Sequence, residues 1–241
     1  MAGTRATLAG GLARHVEFSN LFGRTPQAFA RELRRARLRA VAAHFPLSDF
    51  ADQPQRIIAV ARAAGVRDVG VSWIARERRL FIDAVDVDRA AAALNAACPV
   101  LQRAGLRLHY HIHGYEFAPG AGGTLLDDLL AKVPSGCLEV ELDVFWAAYG
   151  GADPVALLRR LGGRVTMLHL KDISPGAGAP RPFNPDADNP PLGTGRIDMP
   201  EVLRVAREQG VRWYILEDET GDAMARLPAA LRYLRAPAAP R

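Results

Sequence analysis

Short β-like runs alternate with longer runs rich in Ala, Leu and Arg along most of this chain, and that alternation restricts its fold more than any other feature. Repeated strand–helix units predict a parallel sheet, because parallel neighbours need a crossover that a helix can supply. The expected strands are 15–18, 39–44, 69–72, 107–111, 138–143, 165–170 and 213–217. Between and after them, helices are expected at 26–37, 53–64, 87–104, 123–132, 154–161, 200–209 and 223–235. Pro26 and Pro154 stand where prolines fit a first helical turn. Gly65, Gly105, Gly162 and Gly210 stand where helices close. Eight strands make a closed α/β barrel of this kind, and seven are recognisable. The expectation is an α/β barrel lacking its first strand, with the helix-like stretch 4–14 left from a lost first unit. The 241 residues fit one such domain, so 1–241 is read as a single domain.

Composition narrows the function. Hydrophobic residues make up 49% of the chain, enough for a sizeable core. No run reaches the roughly 18–20 apolar residues of a membrane span, and Arg5 and Arg14 interrupt the N-terminal stretch that a secretion signal would need. A cytoplasmic protein without a membrane partner is expected. Cys98 and Cys137 lack the spacing of a redox or zinc motif and read as separate small core residues. The net charge of +5 comes almost wholly from arginine, since Lys132 and Lys171 are the only lysines. The densest basic cluster, 31–39, has helical spacing and reads as a solvated face, so no nucleic-acid partner is expected. A homo-oligomer is compatible with these features. The long irregular segment 174–195, rich in Pro, Gly, Asp and Asn, reads either as a loop closing over a substrate or as surface disorder.

The chemistry lies at the strand ends. Buried parallel strands should read as continuous apolar runs, yet several of these end in ionisable residues. Alternate residues of a strand share a face. Glu139, Glu141 and Asp143 therefore oppose an apolar set, His169 and Lys171 oppose Leu168 and Leu170, and His109, His111 and His113 oppose Leu108, Tyr110 and Ile112. Glu217 shares its parity with Ile215. With apolar faces turned to the helices, the charged residues point inward, and active sites of such barrels form at the C-terminal strand ends. Carboxylates converging there repel one another unless a cation neutralises them. Three carboxylates and an imidazole suit Mn²⁺, Mg²⁺, Co²⁺ or Zn²⁺. Taken singly, His169 also reads as a core histidine, and Asp143 or Glu116 as a helix cap.

His111-Ile-His-Gly-Tyr-Glu-Phe117, Glu141-Leu-Asp-Val-Phe-Trp146 and His169-Leu-Lys-Asp172 resemble signatures of the sugar phosphate isomerase/epimerase family, the xylose-isomerase-like TIM barrels. So do Leu192-Gly-Thr-Gly-Arg-Ile-Asp198 and Tyr214-Ile-Leu-Glu-Asp218. The match runs in the expected order from about His15 to the final helix. It implies a metal held by Glu116, Asp143, His169 and Glu217. The chain departs from the pattern at Ile112, where the family usually carries Asn, and at Glu217-Asp218-Glu219, where Glu-Gln-Asp is more common.

The resemblance implies a metal-dependent sugar isomerase or epimerase acting on a small carbohydrate. Such reactions remove and return a proton beside a carbonyl through an enediolate that a Lewis acid stabilises. Glu116 and Glu217 are the expected acid/base pair, and Lys171 the expected partner of the intermediate, with a salt bridge to Asp172 or Glu141 as its structural alternative. His44, His111, His113 and Trp146 are expected to contact substrate, and Phe22 offers a further apolar wall. Gly193-Thr194-Gly195 could cradle a phosphate. The rival readings are a dehydratase or lyase on a keto-sugar or inosose, a metal-dependent endonuclease, and a truncated, catalytically silent barrel.

Overall fold

The computed structural model describes residues 14–76 and 81–235. These residues fall into two compact units, divided between Val140 and Glu141.

In the first unit, β1 (His15–Phe18) leads through α1 (Pro26–Arg35) to β2 (Arg39–Phe45). Thr25 caps α1 by accepting from the Ala28 N–H, and Pro26 occupies the first turn. Phe29, Ala30 and Leu33 form the buried face of α1, while Arg31, Arg34 and Arg35 are exposed, the solvated basic face expected of that cluster. Two helices, α2 (Leu47–Asp52) and α3 (Pro54–Ala64), connect to β3 (Asp68–Val71). Gly65 closes α3 in the left-handed region at φ 76°, which is open to glycine without steric cost. The 20-residue α4 (Ala84–Arg103) starts at a reciprocal cap between Asp83 and Asp86. It is followed by β4 (Arg107–His111), a 3-10 turn Tyr115–Phe117, a hairpin pairing Pro119 with Thr124, and α5 (Leu125–Lys132).

Strand β5 (Leu138–Asp143) carries the chain from one unit to the next. The second unit continues with α6 (Val144–Tyr149), α7 (Pro154–Leu161), β6 (Val165–Leu170), the four-residue α8 (Pro185–Asp188), α9 (Met199–Glu208), β7 (Trp213–Leu216) and α10 (Ala223–Arg235). All six residues of β6 are buried. Among the described residues there is one seven-stranded sheet in the order β1-β2-β3-β4-β5-β6-β7, beside the short hairpin. The pairs β1–β2, β2–β3, β3–β4 and β6–β7 are parallel. This matches the expected strands to within one residue at either end. The expected N-terminal helix at 4–14 lies outside the described residues, apart from Arg14.

One expectation needs correction. Cys98 and Cys137 are not separate: they form a disulfide, with Cα atoms 5.6 Å apart, joining α4 to the start of β5. Their separation of 39 residues carries no sequence signal for pairing. The segment 174–195, open between a closing loop and surface disorder in the sequence, is tied back to the fold by polar contacts. Ser174 N–H donates to the Asp188 carbonyl at 2.9 Å, Arg181 pairs with Asp188, and the Asn189 side chain donates to the Asp172 carbonyl at 3.1 Å. No helix among the described residues is long and apolar enough to cross a membrane.

Candidate functional site

The second unit gathers three of the four expected ligands. Asp143 is the last residue of β5 and also the N-cap of α6, its Oδ1 accepting the Trp146 N–H at 3.0 Å. The cap fixes the carboxylate's orientation, and Oδ2 is then left buried without a hydrogen-bond partner among the described residues. His169 in β6 lies between two acids, with Nδ1 3.1 Å from Glu217 Oε2 and Nε2 3.2 Å from Glu141 Oε1. Glu217 follows β7 directly, its N–H donating to the Leu170 carbonyl at 3.3 Å. One donor atom each from Asp143, His169 and Glu217 lies within 4.8 Å of the others. Asp143 is thus a helix cap, and one of its oxygens also lies in the group with His169 and Glu217.

The donor set fits a divalent cation. Two carboxylates and an imidazole at such spacing need positive charge, and an orphaned buried carboxylate oxygen is costly unless something binds it. Burial pushes the Asp143 carboxyl up to about 7; Lys171 and His169 pull it down, while Glu217 pushes it up further.

Lys171 is fully buried and pairs with Glu219, not with Asp172 or Glu141. Its Nζ also lies 4.6 Å from the Phe145 ring centre, 5.0 Å from Phe183 and 5.2 Å from Trp146. Burial pushes the ammonium's pKa down, but Glu217, Asp143 and Glu219 together outweigh it and raise the value. Lys171 is thus a held cation. Trp146 packs in the same aromatic group, 4.9 Å from Phe183 and 5.3 Å from Tyr149. Glu219 and Phe183 had no periodicity to announce them, since each reaches Lys171 only through the fold.

Asp172 corrects another expectation. Its Oδ2 accepts the N–H groups of Gly193 and Gly195 at 3.0 and 2.9 Å, and its Oδ1 accepts those of Ile173 at 2.9 Å and Ile197 at 3.3 Å. The Thr194 N–H goes to the Pro191 carbonyl at 3.0 Å. Gly193-Thr194-Gly195 therefore has its amides committed within the protein and is not a phosphate cradle. A Cβ on Gly195 would fall 2.2 Å from Asp172 Oδ1, so glycine is required for this close approach.

Glu116 belongs to the first unit. Its carboxylate accepts from the Tyr110 hydroxyl and from the His113 N–H at 3.0 and 3.1 Å. Burial pushes it up to about 7 despite those hydrogen bonds. The Tyr110 hydroxyl, held well above its usual value by burial and by Glu116, stays protonated and donates. Tyr110 shares the face of Leu108 and Ile112 by parity, and its hydroxyl nonetheless reaches Glu116. His44 and His111 are buried with ring centres 5.2 Å apart, and His113 stacks on Tyr115 at 5.8 Å and meets Trp73 edge-on at 5.2 Å. Phe22, 40% exposed, packs 6.4 Å from Phe29 rather than beside the acids of its unit.

Comparison with known proteins follows the same outline. Over 80 residues, a third of this chain, it is 34% identical to an inosose dehydratase of Geobacillus kaustophilus, and the alignment spans a quarter of that relative's length. A sugar phosphate isomerase/epimerase from Parabacteroides distasonis superposes with a TM-score of 0.74 at 20% identity, covering 93% of this chain and 86% of its own. A probable 3-DHS dehydratase from Bacillus anthracis superposes at 0.71 with 17% identity, over 92% and 89% of the two chains. At such identities the superpositions show the fold, a TIM barrel, here with seven strands among the described residues. Residues 15–236 match the family model for the xylose isomerase-like TIM barrel, and the chain belongs to that family.

Proposed function

We propose that this protein is a divalent-metal-dependent isomerase or epimerase of a small sugar or polyhydroxy ketone, working by proton removal beside a carbonyl. The observation that carries the reading is the buried, unpartnered Oδ2 of Asp143, within reach of His169 and Glu217 and close to a held lysine cation. Asp143, His169 and Glu217 would hold the ion. When bound, the ion supplies Lewis acidity toward substrate oxygens. Glu217, the most accessible of the three with its side chain 34% exposed, would take a proton from carbon and return it. Lys171, kept protonated by its acidic neighbours, holds negative charge as it develops on a substrate oxygen. Phe145, Trp146 and Phe183 keep water from that ammonium.

The partial identity to an inosose dehydratase favours a second reading, in which the same proton abstraction is followed by loss of hydroxide. One experiment separates the two. The protein, loaded with Mn²⁺ or Co²⁺, is incubated in deuterated water with a panel of ketoses, sugar phosphates and inososes. Deuterium appearing beside the carbonyl with the carbon skeleton and hydroxyl count retained supports isomerase or epimerase. Exchange with water loss supports dehydratase. No exchange on any member sinks both.

A further inference from the structure

The first unit contains a further group of donors that does not include its Glu116. Glu17 in β1, His44 in β2 and His109 in β4 converge, with His44 Nε2 3.3 Å and His109 Nε2 3.9 Å from the same oxygen, Glu17 Oε1. All three side chains are more than nine-tenths buried. The strands explain how residues from three of them meet. His44 is in register with Gly70 of β3, and Gly70 with His109, so the three form one row across the sheet. The outer two positions of such a row lie about 9–10 Å apart at the backbone. Gly70 contributes no side chain, His109 leans over it, and the two imidazole ring centres stand 5.4 Å apart. A Cβ on Gly70 would lie 2.0 Å from His109 Nε2, so this glycine is the space the imidazole occupies. On the other side, the β1–β2 register shifts between Val16 and Glu17, placing Glu17 opposite Ala42, which shares the face of His44. Such an irregularity re-aims a side chain.

The geometry points to a transition-metal site, of the Zn²⁺ class, formed by Glu17, His44 and His109 and sharing no residue with the Asp143 cluster. A charge-assisted hydrogen bond between imidazole and carboxylate would close to about 2.7–2.9 Å, and neither contact does. Donors around a tetrahedral ion with bonds of about 2.0–2.2 Å stand roughly 3.3–3.6 Å apart. The 3.3 Å separation falls at the short end of that spacing and the 3.9 Å separation lies a few tenths of an ångström beyond it. Two imidazoles and one carboxylate select a borderline transition metal over Mg²⁺ or Ca²⁺, which take oxygen donors.

The test begins with Asp143→Asn/His169→Gln, which disables the other cluster. After chelator treatment this variant is titrated with Zn²⁺ by calorimetry and with Co²⁺ by visible absorption and proton NMR. One ion per chain is expected, with two paramagnetically shifted imidazole N–H signals, while the unsubstituted protein takes up one ion more. Adding Gly70→Ala, which drives a methyl group into the His109 position, or His109→Gln should lower affinity by more than the roughly 10–100-fold typical of disturbing an outer-shell partner. Circular dichroism reports whether each variant is folded. No ion in the double variant, fewer than two imidazole signals, or an ion retained equally by the folded Gly70→Ala and His109→Gln variants overturns the site. Should both added substitutions unfold the chain, the stoichiometry and imidazole count of the double variant decide. Failure here leaves the Asp143 cluster standing, because that cluster is read from the unsubstituted protein's remaining ion.

Discussion

At the scale of single residues, this chain concentrates buried ionisable groups to a degree that folding alone does not favour. Glu116 and Asp143 are wholly buried with carboxyls raised to about 7. A carboxyl whose folded pKa exceeds its unfolded value binds more protons folded than unfolded, so its contribution is complete below about pH 4.5 and is lost as pH rises through about 7. Metal-free protein should therefore lose stability between about pH 5 and 7.5, by at most ~1.4 kcal/mol per pH unit for each group. Urea unfolding in chelator measures this, and Glu116→Gln should flatten the slope. An unchanged slope in that variant would refute the assignment. Metal affinity should run the opposite way, rising over the same interval as the ion replaces protons. Lys171→Met should reduce turnover by ~10²–10³-fold, the usual cost of removing one pre-placed charge-stabilising group, while leaving metal stoichiometry intact. Loss of the ion in that variant would make Lys171 a scaffold for the cluster instead.

At the scale of elements, the same residues that present chemistry also end strands and start helices. Asp143 caps α6 through one oxygen, so the helix orients the other. Asp143→Asn should keep the fold, because Asn caps as well as Asp, and should weaken metal binding; calorimetry with circular dichroism checks both. Asp172 organises the whole segment after β6 through four backbone N–H groups. Asp172→Asn would turn an amide N–H₂ toward two donors when Oδ2 is replaced. A loss of about 2 kcal/mol or more follows from leaving them unsatisfied, together with faster proteolysis within 174–195. Denaturant melts and timed digestion would detect it, and equal stability would mean the segment is held elsewhere, for example by Arg196, which donates to the Ala148 carbonyl at 2.9 Å.

At the scale of the molecule, ligand binding and folding are linked. An ion present at about 100 times its dissociation constant should stabilise the chain by ~2.7 kcal/mol, seen as a higher melting temperature that chelator reverses, and Glu217→Gln should blunt the gain. The sequence by itself determined the βα order and seven strands nearly to their ends. Those follow from strand parity, helix caps and apolar periodicity, all local in the chain. It also marked Asp143, His169, Lys171 and Glu217 before any geometry was known. Only the tertiary structure decided the partners. Lys171 meets Glu219 rather than its neighbour Asp172, Asp172 turns to glycines more than twenty residues away, and Cys98 meets Cys137. The meeting of His44 and His109 over Gly70 likewise depends on register across three strands. Register and loop paths are set by packing between distant segments, and no local pattern in a single sequence encodes which distant side chain will fill a given space.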